Sequence, residues 1–175
     1  EDLYENAIVH LNVDSLGCQG ATDYSQVECT AELYDLEKSV IKDYTKQSPQ
    51  YRRISRSGDS SFWGIVIPSL FILLSHQPLS GSHSNVLSPG FAWFWHTEAD
   101  TLDKIDRETL LRDTRIYMAA LWRLCTAPIL PFNFVRVADE MIFHLSDLQK
   151  KAKDAFDLAP AIEKAQTFRS KAGEL

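Results

Sequence analysis

Apolar and polar positions alternate from Ala7 to Asp14, with Ala7, Val9, Leu11 and Val13 on one face and Ile8, His10, Asn12 and Asp14 on the other. A period of two predicts a strand that ends at Asp14. The SLGCQGATDY stretch behind it, with two glycines among small polar residues, predicts a loop. From Ser25 to about Lys46 the residues Val27, Leu33, Leu36, Val40 and Ile41 recur mostly at steps of three and four, which predicts a helix. SPQYRRISRSGDSS then reads as a polar connection, a short helix is expected near Ser60, and PSLFILL suits a buried strand.

Residues 75–93 are rich in Pro, Gly and Ser and predict a long irregular loop, a feature that in compact domains is usually functional or disordered. A helix should follow, capped by Asp100 or Thr101, with Asp103 in its first turn and Leu102, Ile105, Leu110 and Leu111 opening its apolar stripe. It should end near Cys125, before Pro128. A second amphipathic helix follows ILPFN, with Phe134, Ala138, Met141, Ile142, Leu145 and Leu148 along one side, and a shorter one spans roughly 158–172. Strands alternating with helices make the first part an α/β layer structure, and the last seventy or so residues are helical. Only two strands stand out, and both read as buried. A buried strand needs neighbours at its edges, so an incomplete sheet is expected.

Composition narrows the function classes. A chain of 175 residues, 45% hydrophobic and 24% charged, can build one sizeable core. A net charge of -6 argues against a nucleic-acid groove, which needs clustered Lys and Arg, and the dense basic run YRRISR (51–56) reads as a solvated loop. The most apolar run, IVIPSLFILL (65–74), is interrupted by Pro68 and falls far short of the roughly 20 residues of a spanning helix. Glu1 to Asn6 is acidic and polar and does not read as a signal pattern. Cys18, Cys29 and Cys125 form no CxxC pair, which argues against a cysteine-built zinc site. Cys18 and Cys29 would close a small disulfide loop in an oxidising compartment, or else stay as free buried thiols.

Two residues stand where chemistry is expected. Asp14 ends a strand, and ligands of open α/β sheets bind beyond the carboxyl ends of strands. Its plainer reading is a turn former. His96 sits between the long loop and the next helix, behind Trp93, Phe94 and Trp95, where imidazole serves either as a zinc ligand or as a packed side chain. Asp100 likewise reads as an N-cap. No HExxH, GxSxG, phosphate-binding glycine loop or EF-hand is present.

The order LNVDSLG, SGDSSFWGIVIPS, WHTEADTLDKID and then LPFNF between two helices resembles the co-catalytic di-zinc aminopeptidase family, which includes glutamate carboxypeptidase and the non-enzymatic transferrin receptor. The resemblance runs from about Ala7 to about Leu148 and is most specific in the WHTEADTLDKID box. It implies a partial zinc-aminopeptidase-like three-layer fold over 1–127, followed by a helical segment over 128–175 similar to a dimerisation region. It implies that Asp14 ligates one zinc and His96 the other. Trp95, Asp59 and Phe62 would stand beside the substrate, and Asp100 and Thr101 would fix the helix start behind His96.

The same resemblance requires a further histidine, a bridging aspartate and a Glu-Glu pair ahead of the first strand. The consecutive acidic pairs here, Glu1-Asp2 and Asp139-Glu140, stand elsewhere. The implied reading is the carboxyl-terminal portion of a zinc exopeptidase, inactive alone, whose amino-terminal part supplies the other ligands and the general base. Its partners would be a peptide substrate and a second copy bound through the carboxyl-terminal helices, in a secreted or periplasmic setting. Acidic-substrate specificity is not supported, because the loop before His96 has no arginine. Two competing readings are a receptor-like or scaffold protein of the same fold without catalysis, and a self-contained helical interaction module.

Overall fold

The computed structural model describes residues 2–54, 60–72, 74–78 and 90–175. These form a mixed α/β structure around one four-stranded sheet of order β1-β4-β2-β3, where β1 is His10–Asn12, β2 Gln26–Cys29, β3 Gln50–Arg53 and β4 Ser69–Phe71. β1 runs parallel to β4, with Leu11 opposite Leu70, and β2 runs parallel to β3, with Val27 opposite Tyr51. The two pairs join antiparallel, through Cys29 opposite Leu70. The five helices are α1 (Asp2–Asn6), α2 (Tyr34–Thr45), α3 (Arg107–Thr126), α4 (Phe134–Ala152) and α5 (Ala159–Ala172). Among the described residues no helix is long and apolar enough to cross a membrane.

Several boundaries differ from the sequence reading, each for a physical reason. The helix expected from Ser25 begins only at Tyr34, because Val27 to Leu33 is a step of six, which falls off a helical face; Val27 and Cys29 instead point inward from β2. The polar connection after residue 46 contains β3, an edge strand in which Tyr51 alone is part-buried, so no apolar alternation marks it; Tyr51 to Arg53 of the basic run are strand, not loop. The first strand is shorter than 7–14, and the α1 turn precedes it.

α3 is not capped by Asp100 or Thr101. Those residues precede a single 3-10 turn, Leu102–Lys104, and the helix starts after Asp106, whose Oδ2 accepts a hydrogen bond from the Thr109 N–H at 2.7 Å. Asp103 therefore lies outside the helix. Its buried face is Thr109, Asp113, Ile116, Tyr117 and Ala120, and it ends at Thr126, ahead of Pro128. α2 stops at Lys46, which adopts the left-handed conformation with φ 64°. Leu33, Leu36, Val40 and Ile41 from the α2 region meet Val27, Cys29, Leu70, Ile72, Leu74, Ile116 and Tyr117 in the core.

α4 begins at Asn133, whose Oδ1 accepts from Val135 N–H (3.1 Å) while its amide donates to Asp35 (2.6 Å). Arg136 pairs with Asp35 at 2.9 Å, and Tyr51 donates to Glu140 at 3.1 Å, so the first half of α4 is tied to the sheet layer. α4 and α5 form a hairpin, and the buried residues of the two helices are Ala138 and Ala165. Cys18, Cys29 and Cys125 are free thiols, which resolves the cysteine alternatives against a Cys18–Cys29 bridge.

Candidate functional site

Because β1 and β4 are parallel, their carboxyl ends open on the same side of the sheet. Beyond them lies a cavity of about 270 Å³, lined by Asp14, Ser15, Leu16 and Cys18 after β1, by Ser75 after β4, by Phe91, Phe94 and Trp95, and by Asp100, Lys104 and Ile105. Asp14, Trp95 and Asp100 are thus brought together. His96 follows Trp95 directly but is exposed and outside this lining. Phe62 is elsewhere: its ring packs on His10, 4.8 Å between centres, near the start of β1 and at the opposite end of that strand from Asp14. Asp59 lies outside the described residues. Thr101 faces Asp103 on the 3-10 turn and is not part of the cavity.

The loop after β1 is fixed from α3. Asp14 accepts from the Ser15 hydroxyl at 3.0 Å, and Ser15 takes a left-handed φ of 55° as the chain reverses. Gly17 follows at φ +75°, so close to α3 that a Cβ there would lie 2.8 Å from Leu110 Cβ, which only glycine permits. Its N–H donates to Asp113 Oδ2 (2.9 Å) and its carbonyl accepts from Asp106 N–H (2.8 Å). Gln19 N–H donates to Lys104 (2.8 Å), and Cys18 bridges antiparallel to Ile105. Asp113, fully buried, also meets Tyr24 Oη and the Arg112 guanidinium. Burial pushes the Asp113 carboxyl above its ordinary range despite the Gly17 N–H and Arg112. The Tyr117 hydroxyl donates to Ile72 carbonyl at 2.6 Å, tying α3 to β4 as well.

Aromatic stacking builds the other wall. Trp95 lies between Phe91 (4.5 Å, 24°) and His96 (3.7 Å, 15°), and Phe91 meets the edge of His76 at 4.9 Å. His76 is buried, which lowers its pKa and keeps it neutral. Gly90 presses on that ring: a Cβ would come within 2.9 Å of it, and φ is +97°. His96 holds a φ of 59°, a conformation non-glycine residues adopt at some cost, so the backbone that presents its ring is over-determined by the turns around it. Cys18 is raised to about 11, first by burial and then by the negative charge of Asp100 and Asp113, so its thiol is no ready nucleophile at neutral pH.

Among the described residues no group of three or more His, Cys, Asp and Glu side chains comes together to hold a metal ion. Asp14 and His96 therefore offer two donors where zinc takes three or four from protein, and a di-zinc centre does not fit these residues by themselves. No metal-dependent step is assigned to this chain. Sequence reasoning missed Ser75, Cys18, Lys104 and Asp113. Asp113 carried a signal in principle, as an acidic residue on the apolar stripe of a helix, three before Ile116 and four before Tyr117. No protein-family model matches the chain, and no curated protein matches it.

Proposed function

We propose that this chain is the carboxyl-terminal portion of a zinc-dependent exopeptidase, a metallopeptidase that hydrolyses an amide bond near a free peptide terminus. The observation that supports this reading most is the meeting of Asp14 with Trp95 and Asp100 around one cavity beyond two parallel strands. Asp14 and His96 would each contribute one zinc donor, and the aromatic wall would face the substrate. The remaining donors and the general base would come from the amino-terminal part of the parent protein, completing a partial three-layer fold. Among the described residues no strand pairs with the outer edge of β1, which supports this. Ile8 and Val13, which flank β1, are each more than half exposed.

Dialysed alone, the 175-residue chain should retain far less than about one zinc by elemental analysis and cleave no aminoacyl p-nitroanilide. The full-length gene product should bind zinc and hydrolyse the anilide, with Asp14→Asn and His96→Ala each lowering kcat by about 100-fold or more. Stoichiometric zinc with hydrolysis in the short chain would mean the ligands lie elsewhere. A full-length product lacking zinc-dependent hydrolysis would exclude a peptidase.

A second reading, a non-catalytic receptor-like or scaffold module that pairs through its carboxyl-terminal helices, is favoured by the hairpin. Met141, Phe143, Leu148 and Phe156 leave 45%, 69%, 52% and 65% of their surface exposed on it. Sedimentation should show a concentration-dependent dimer that Phe143→Glu shifts to monomer. A monomer throughout the micromolar range would remove the helical end as a self-association surface.

A further inference from the structure

We infer that the crevice beyond the carboxyl ends of β2 and β3 is a second ligand site, which takes a small uncharged amide carrying an apolar group. It lies at the opposite end of the sheet from Asp14 and does not depend on the reading of the chain as part of a peptidase. Ligands of open α/β sheets bind beyond the carboxyl ends of parallel strands. This sheet is two parallel pairs joined antiparallel, so it has such an end on either side. On the second side Thr30 and Ala31 follow β2, Arg53 ends β3, and Ile67 and Pro68 lead into β4. Two adjoining hollows there, of about 230 and 380 Å³, share a wall of Ala31, Tyr51, Arg53 and Glu140. Together they are of the size that small ligands occupy.

The smaller hollow holds a donor that lacks an acceptor. Trp63 forms part of its wall, and the Trp63 Nε1 is buried with no hydrogen-bond partner among the described residues. A buried N–H left unpaired costs stability, which an oxygen from a ligand would restore. The Arg53 guanidinium covers the indole, 5.1 Å from the ring centre, and is itself held by Glu140 at 3.7 Å. Glu32 lines the same hollow, and among the described residues its carboxylate has no ion-pair partner. One free donor and one free acceptor in one hollow match the C=O and N–H of an amide. The larger hollow offers Tyr34 and Phe143, which suit an apolar group. Its other charges are already matched: Arg136 pairs with Asp35 at 2.9 Å and Asp139 with Arg169 at 2.6 Å. An anion would meet Glu32 and Glu140. A cation would meet Arg53 and leave the indole N–H unpaired.

The test is calorimetry on the full chain with N-acetyl-L-phenylalaninamide and with two charged relatives, the cationic L-phenylalaninamide and the anionic N-acetyl-L-phenylalanine. The neutral amide should bind, and neither charged form should compete with it unless present in about tenfold excess or more. Trp63→Phe, which keeps an aromatic ring beneath Arg53 and removes the N–H, should weaken the neutral amide about tenfold. Glu32→Ala, a change at a half-buried position with no ion pair to break, should weaken it by a similar factor and keeps the test open if the Trp63 variant does not fold. Binding that neither variant weakens would place the amide elsewhere and overturn the site. So would no binding at millimolar concentration. Competition by either charged form at equal concentration would overturn the uncharged ligand. The exopeptidase reading fails separately, by absence of zinc-dependent hydrolysis in the full-length product.

Discussion

Replacing Asp113 by alanine is expected to lower the unfolding free energy by about 3 kcal/mol, read from urea denaturation at neutral pH. The side chain is wholly buried and holds three different partners: the Gly17 N–H, the Tyr24 hydroxyl and the Arg112 guanidinium. Alanine strands the Gly17 N–H and takes one partner from Tyr24 and Arg112, which keep the Ala21 carbonyl, and stranding a buried donor costs more than the hydrogen bond itself contributes. The loss should not be spread evenly. Amide exchange at Gly17 and Cys18 should accelerate far more than at Val40 or Ile41, because Asp113 ties the loop after β1 to α3, whereas α2 packs through apolar contacts. Asp113→Asn, which keeps an acceptor for Gly17, should recover much of the loss. A urea midpoint unchanged in Asp113→Ala would show that the loop is held by other means.

The second large effect is a pH dependence centred on Glu37. This residue of α2 is 0% exposed, and neither carboxylate oxygen meets a hydrogen-bond partner of normal geometry among the described residues. The Cys29 thiol beside it is a weak donor that offsets little of the burial, and burial drives the Glu37 pKa well above its usual 4.5. In the unfolded chain the group ionises near 4.5, while the folded chain keeps the proton to higher pH. The unfolded state therefore binds fewer protons above that point, and stability falls as pH rises. Its contribution is fully present below pH 4.5 and is lost progressively up to the raised folded value. For a single proton the slope is at most about 1.4 kcal/mol per pH unit. Glu37→Gln should flatten that slope and be the more stable protein at pH 7. Parallel pH profiles for the two proteins would show that Glu37 ionises without strain in the fold.

Asp113 and Glu37 also mark where sequence reading reaches its limit. Periodicity located α4 and α5 closely, because each helix keeps its apolar side chains on one stripe over many turns. A continuous apolar run placed β4, and glycines among small polar residues placed the loop after β1. Periodicity failed where elements are short or at an edge: β2 has four residues, and β3 shows a single inward residue, Tyr51. The start of α3 was misplaced because Asp100, Thr101 and Asp106 are all chemically able caps, and only the turn at Leu102–Lys104 decides among them. Asp14 was legible as a site candidate from its place at a predicted strand end, Trp95 only through the family resemblance, and Asp100 as a helix cap. Trp63 was not legible, since its interest lies in an indole N–H without a partner, and a partner's absence is written in three dimensions only.

The two rims of the sheet are chemically unlike. β3 carries Arg52 and Arg53 along its edge, both largely exposed, whose charge and bulk discourage another strand from adding there. β1 carries no comparable guard; only His10 interrupts its neutral run, and Ile8 and Val13 flank it with apolar surface. Among the described residues the outer rim of β1 is thus the less guarded of the two, and the one at which an added strand would meet less resistance.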